Sequence, residues 1–254
     1  MIQRSTFLRG LCAGIAILAG AGAAQADTLD DIRAAKKIRI AIDLGAPPFG
    51  TTDASMNPTG SDVETARLLA RDLGVELEIV QTTGANRIPF LQTGKADVVI
   101  SSLSVTAERE KVIDFSQPYA QIQAVVAGPK TLAIKGFGDL AGKRVATARG
   151  TTNDRLATEG AKGAQIVRFD DDSTLVTAIA SGQVDIVATA PSLVKVMAEK
   201  APALGLETKF VMQGFPLGIG MRKGEPKLQA WINQWVAKNL ENGRLTEIYR
   251  RFHG

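Results

Sequence analysis

A helix end, a glycine, two residues and an aspartate that opens an apolar strand occur twice in this chain, and few folds accommodate that repeat. Leu91-Gln92-Thr93-Gly94-Lys95-Ala96-Asp97-Val98-Val99 is echoed by Ile179-Ala180-Ser181-Gly182-Gln183-Val184-Asp185-Ile186-Val187. Glycine ends a helix because it enters the left-handed region without a Cβ clash, so one such junction is commonplace. A second echo makes the pair informative. Ile38-Arg39-Ile40-Ala41 before Gly45 matches Lys143-Arg144-Val145-Ala146 before Gly150, in the same order along the chain. The repeat is too long for a solenoid and reads as two lobes of related topology.

The segments between the echoes define the fold class. Short β-branched runs predict strands over 38–42, 75–80 and 96–101, then over 144–147, 166–169 and 184–189. Ser61 and Glu64 predict a capping box, followed at helical spacing by Val63, Ala66, Leu69, Ala70 and Leu73 and stopped by Gly74. Asp172 or Ser173 caps a second helix that buries Leu175, Val176, Ile179 and Ala180 before Gly182. Strands alternating with helices predict an α/β fold with two mainly parallel sheets and helices on both faces. Two apolar segments flanked by Gly or Pro, 121–128 and 216–221, suit hinge strands that cross between the lobes. The expected organisation is lobe one over 27–122, lobe two over 123–215, and a return to lobe one over 216–254. Trp231 and Trp235, four residues apart, are expected to pack a late helix onto the core, as are Tyr249 and Phe252 on the last one.

Residues 1–26 are expected to be a cleaved export signal. Arg4 and Arg9 precede a short apolar run from 11 to 20, and Ala24-Gln25-Ala26 supplies the small-x-small cleavage pattern. The run is well short of the ~20 apolar residues that span a bilayer. Cleavage removes two arginines and no acid, so the net charge falls from +4 to +2, too balanced to suggest a nucleic-acid partner. Cys12 leaves with the leader, and the only histidine is His253. Zinc sites and Cys-His or Ser-His-Asp chemistry need such side chains convergent in a pocket, so no metal, cofactor or conventional hydrolase is expected.

Ligands in α/β sheets sit beyond the carboxyl ends of the strands. Two of those ends carry an anion-binding pattern. Ser101, Ser102, Ser104 and Thr106 supply hydroxyl and backbone donors, and Arg109 can hold a carboxylate bidentately. Gly150-Thr151-Thr152-Asn153 opens a helix, whose free N–H groups also favour an anion. Each feature has an ordinary alternative. Ser, Thr and Asn at helix starts are usually caps, and Arg109 could pair with Glu108, Glu110 or Asp114. Their coincidence at matching strand ends of both halves points to a site.

At these residues the chain resembles the family 3 extracellular solute-binding proteins, the polar amino-acid receptors of ABC importers. The most specific matches are Ser101-Ser102-Leu103-Ser104-Val105-Thr106-Ala107-Glu108-Arg109 and Val112-Ile113-Asp114-Phe115-Ser116-Gln117-Pro118-Tyr119. Asp139-Leu140-Ala141-Gly142-Lys143-Arg144-Val145, Gly150-Thr151-Thr152 and Pro47-Pro48-Phe49 add to them. The resemblance implies a periplasmic, Venus-flytrap receptor that closes on a small carboxylate-bearing solute, an amino acid in the first instance, and delivers it as a monomer to an importer permease. It implies no catalysis. It also implies that Arg109, Ser104 and Thr152 hold the α-carboxylate and that Ser102 lines the pocket. Two positions depart from the family. The covering aromatic falls on Ala46, and the acid that accepts the α-ammonium falls on Ala190. Asp43 is the acid expected to take that role; otherwise the solute lacks an α-ammonium. The expected ligand set is Asp43, Ser102, Ser104, Arg109, Thr151, Thr152 and Asn153. A cyclohexadienyl-dehydratase-like enzyme, sharing the fold and also lacking the ammonium-binding acid, is the alternative.

Overall fold

The structure is a computed structural model that describes residues 27–254; the expected leader lies outside them. Helix α1 (Thr28–Ala35) leads into β1 (Lys37–Ile42), and a small hairpin, β2 (Thr51–Thr52) and β3 (Pro58–Thr59), precedes α2 (Ser61–Leu73). The chain continues through β4 (Glu76–Gln81), α3 (Arg87–Gln92), β5 (Val98–Val99), α4 (Ala107–Glu110) and β6 (Ile113–Phe115). Strand β7 (Ala120–Pro129) carries it to β8 (Arg144–Ala148), α5 (Thr152–Gly160), β9 (Gln165–Phe169), α6 (Asp172–Ala180), β10 (Val187–Thr189) and α7 (Pro191–Lys200). Strand β11 (Leu206–Leu217) then leads back to β12 (Gly220–Arg222), α8 (Pro226–Glu241) and α9 (Arg244–His253).

The two lobes share one topology. The first sheet has the order β4-β1-β5-β12-β6, and the second, read from its far edge, β9-β8-β10-β7-β11. Strand β1 pairs in parallel with β4 and β5, as β8 does with β9 and β10. Each sheet contains one reversed strand, β12 or β7, flanked by antiparallel partners. Four of the five strands in each sheet therefore run the same way. The reversed strand is where the chain arrives from the other lobe, so its direction follows from the crossover. The sequence echoes occupy equivalent places, β1 against β8 and the approach to β5 against that to β10.

Both faces of each sheet are covered, which is why the strands read as nearly continuous apolar runs. Ile38, Ile40 and Ile42 pack with Val63, Leu69, Leu228, Ile232 and Trp235 on one face of the first sheet. Ala41 and Val99 meet Leu91, Leu103 and Ile113 on the other. In the second sheet Val187 faces Leu175, Ile179 and Met197, whereas its neighbours Ile186 and Ala188 face Leu140 and Ala157. Gly94 and Gly182 both take left-handed φ, +70° and +72°, at the helix-to-strand junctions.

Several local expectations need correcting. Gly60, not Ser61, is the N-cap of α2, and no capping box forms there. Ser61 is the first helical residue, and its Oγ lies 3.0 Å from His253 Nε2, a long-range partner that local reasoning cannot see. Helix α6 is capped by Asp171, whose carboxylate accepts the Thr174 N–H at 2.7 Å, and neither Asp172 nor Ser173 serves as cap. Ala180 is exposed and Ala178 takes its place in the core. Strand β11 starts ten residues before the expected 216 because it is the edge strand of the second sheet. One side faces solvent and two register shifts interrupt its pairing, so its apolar alternation is weak.

Candidate functional site

The lobes meet along the carboxyl ends of their parallel strands. Ser104 Oγ and Thr152 Oγ1 are 3.4 Å apart across the seam, and Arg109 Nη2 donates to Gly150 O at 3.3 Å. Glycines allow this approach. A Cβ on Gly84 would lie 3.0 Å from Arg149 O, and one on Gly150 would lie 2.7 Å from Ala85 Cα. Between the lobes is a narrow cavity of about 30 Å³, lined on one side by Asp43, Ala46, Phe49, Arg87, Ser102 and Ser104. Ile122 and Gln123 of β7 form its floor, and Thr152, Asn153, Asp172, Ala190 and Leu193 form the opposite wall.

Each wall is fixed by its own strand ends. Asp43 follows β1; its N–H donates to Ser101 Oγ at 3.0 Å and its Oδ1 accepts the Gly45 N–H at 2.9 Å. Burial raises its pKa, opposed by the Gly45 N–H and by Arg87. Ser102 has a φ of +41°, unusual for a residue with a side chain. It is held there by Asp62, whose Oδ2 accepts the Ser102 N–H at 2.8 Å. Asp62 also receives the Tyr119 hydroxyl at 3.4 Å, and burial pushes its carboxyl up to about 7. On the facing wall, Thr151 caps α5 by accepting the Asp154 N–H at 3.1 Å while donating to Ala148 O at 2.8 Å. Its hydroxyl is thus a cap, and Thr152, the first helical residue, is the one that turns toward Ser104.

Six of the seven expected site residues, Asp43, Ser102, Ser104, Thr151, Thr152 and Asn153, line this one cavity. Arg109 does not. It lines an adjoining cavity with Thr106, Glu108, Gly150, Asp154, Arg155 and Arg168, and Thr151 and Thr152 border both. Its Nη1 donates to Ser104 O at 2.9 Å. Burial, then the neighbouring Arg87 and Arg155, lower its pKa to about 9. Ala46 and Ala190, where the family pattern is broken, both face the main cavity.

Two charged residues in the cavity, Arg87 and Asp172, lie outside the expected ligand set. Arg87 opens α3 and is only 5 % exposed. Its Nε donates to Gly84 O at 3.1 Å and its Nη1 to Ser101 O at 2.8 Å. Burial lowers its pKa, against the pull of Asp43, Asp172 and Asp62. Asp172 opens α6, the corresponding helix of the second lobe, and burial, then Asp43, raise its carboxyl to about 7. In sequence Arg87 looks like a solvated helix start and Asp172 like a cap. The only available hint was that each stands just after a strand and ahead of an echoed junction.

The comparisons agree with this architecture over most of its length. A model of the bacterial extracellular solute-binding proteins, family 3, matches residues 38–254. The ABC transporter glutamine-binding protein GlnH of Bacillus subtilis (strain 168) is 30% identical, over 89% of this chain and 84% of its own. The L-cystine-binding protein TcyJ of Escherichia coli (strain K12) is 27% identical, over 94% and 92%. Among solved structures, the ancestral amino acid-binding protein AncCDT-1, described as a precursor of cyclohexadienyl dehydratase, superposes with a TM-score of 0.82 at 33% identity, covering 89% of this chain and all of that one. With two like lobes, paired crossing strands and a cavity at the strand ends, the chain belongs to the bacterial extracellular solute-binding proteins, family 3.

Proposed function

We propose that this chain is the periplasmic receptor of an ABC importer, working as a monomer, and that it captures an amino acid between its lobes without chemical change. The observation that carries this reading is the seam between the two lobes, where hydroxyls from both walls, Ser104 and Thr152, converge in the main cavity and Arg109 lines the cavity that adjoins it. The receptor names of GlnH and TcyJ support the solute class. Lobe one comprises 27–122 and 216–254, lobe two 123–215, and β7 and β11 are the hinge. Arg109, Ser104 and Thr152 receive the α-carboxylate, and Ser102, Asn153 and Asp43 complete the pocket. Arg109 turns from the long contact with Gly150 O to do so. Thr151 holds α5 in place through its cap instead of touching solute.

The test is a thermal-shift screen of the chain from Asp27 onward against amino acids and their deaminated analogues. A ligand at about 100 times its Kd adds ~2.7 kcal/mol of stability. Arg109→Ala should abolish the shift and leave the unliganded melting temperature nearly unchanged. Arg109→Lys should fail almost as badly, since a point charge does not reproduce the bidentate fork. Near-normal affinity in Arg109→Ala would overturn the assignment. A second reading, dehydratase-like catalysis, draws on one observation: Asp172 lines the cavity and burial raises its carboxyl to about 7, the range a general acid needs. Formation of an aromatic product from a cyclohexadienyl carboxylate, lost in Asp172→Asn, would establish it.

A further inference from the structure

We infer that the cavity selects an acidic amino acid, with Arg87 taking the side-chain carboxylate while Asp43 and Asp172 share the ammonium. The inference rests on the amino-acid receptor reading above. It starts from the unused half of the Arg87 guanidinium. Nε and Nη1 are satisfied by the carbonyls of Gly84 and Ser101, with Ser102 O a longer partner at 3.4 Å. Those bonds explain why the arginine holds the two strand ends together. They leave Nη2 without an acceptor among the described residues, and no carboxylate there forms an ion pair with the side chain. A buried cation with free donors is costly unless an anion meets it.

Geometry puts the free end where a solute would be. A Cβ built on Gly84 would lie 3.6 Å from Arg87 Nη2 and 3.1 Å from Thr151 Cγ2, so this end of the guanidinium reaches the seam between the lobes. The two acids meet the same seam. A Cβ on Gly45 would lie 3.3 Å from Asp43 Oδ1 and 3.2 Å from Ser173 Cβ, the residue after Asp172. Asp43 from lobe one and Asp172 from lobe two thus line the same cavity as Ala190. They offer an ammonium the counter-charge that position 190 lacks.

Charge balance then decides the side chain. Once water is excluded, the closed cleft must come close to neutral. With Asp43 and Asp172 holding one proton between them, two guanidiniums, Arg87 and Arg109, match two carboxylates, and the remaining aspartate charge matches one ammonium. A basic side chain would instead place a third cation beside Arg87, and an aliphatic one would leave Nη2 unanswered. Burial raises the pKa of both Asp43 and Asp172, as a pair that keeps one proton beside an ammonium requires.

The test is calorimetry with glutamate, glutamine, arginine and glutarate, repeated with the aspartate series. Wild type should bind one acidic amino acid at least tenfold more tightly than its amide, and arginine more weakly still. Arg87→Met should erase the acid-over-amide preference while the amide still binds. Asp172→Asn and Asp43→Asn should each shrink the preference for the amino acid over its deaminated diacid. Equal or tighter binding of the amide or of arginine by wild type overturns the inference, even if Arg87→Met fails to fold. An acid-to-amide ratio unchanged in a folded Arg87→Met protein does the same. If no amino acid binds wild type, the receptor reading itself has failed, which is a different result from binding with the wrong preference.

Discussion

At the scale of single residues, two glycines with nearly identical backbones do different work. Gly150 and Gly182 both have left-handed φ, +74° and +72°. A Cβ on Gly182 would meet nothing within 4 Å, whereas one on Gly150 would press into Ala85 across the seam, 2.7 Å from its Cα. Forcing a side chain into the left-handed region costs ~1–2 kcal/mol at either place. Only at Gly150 does it also obstruct the approach of the lobes. Gly182→Ala should therefore lower stability by roughly that amount and keep solute affinity. Gly150→Ala should lose a similar stability and, in addition, weaken binding tenfold or more. Equal affinities in the two variants, measured by calorimetry beside denaturant melts, would show that the seam at Gly150 plays no part in binding.

At the scale of elements, the last helix is tied to the wall of the site through the only histidine. His253 on α9 stacks on Tyr249 at 4.0 Å and lies 4.4 Å from the Phe49 ring, which lines the cavity. Its Nε2 sits 3.0 Å from Ser61 Oγ, and Tyr249 donates to Gln121 O at 2.8 Å at the start of β7. Burial lowers the His253 pKa from the ordinary 6.5 to about 4. The native imidazole thus stays neutral where the unfolded one takes up a proton. Its contribution to stability is complete above pH 6.5 and is lost progressively as the pH falls toward 4. Asp62 works the other way, because its raised pKa makes the native state the tighter proton binder between the carboxylate range and about 7. Wild type and His253→Gln should therefore be compared by difference. The variant should be less stable at pH 7.5, and the gap should narrow steadily down to pH 4. A gap independent of pH would mean that the ring contributes packing alone.

At the scale of the whole molecule, β7 and β11 pair antiparallel from Ala120 with Leu217 to Pro129 with Leu206. Apart from this ribbon, the lobes touch through few side chains: the Ser104–Thr152 pair, the Arg109–Gly150 contact and the glycine seams. Each lobe has its own packed core, so closure is expected to concentrate in the two crossing strands. Small-angle scattering should show a smaller radius of gyration when solute is added, with the Gly150→Ala protein responding less. An unchanged profile at saturating ligand would count against closure about this hinge.

Local pattern was enough to read the lobes and most of their elements. Alternation in Ile38 to Ile42 and the helical spacing of Val63, Ala66 and Leu69 depend on φ/ψ geometry over a few residues, which composition reports directly. The repeated Gly-to-strand junctions carried the shared topology for the same reason. The cluster Ser102, Ser104, Thr152 and Asn153 was legible because strand ends of an α/β sheet open on one side. Tertiary structure alone decided the charges. Arg87 is buried only because carbonyls of Gly84 and Ser101 come to enclose it. Asp172 faces Asp43 only because the lobes meet, and Arg109 lies in the adjoining cavity because Ser104 O and Gly150 O draw it there. A charged side chain at a helix start has the same local sequence whether water or another lobe lies beyond it. Its role is set by desolvation, and desolvation depends on segments far away along the chain.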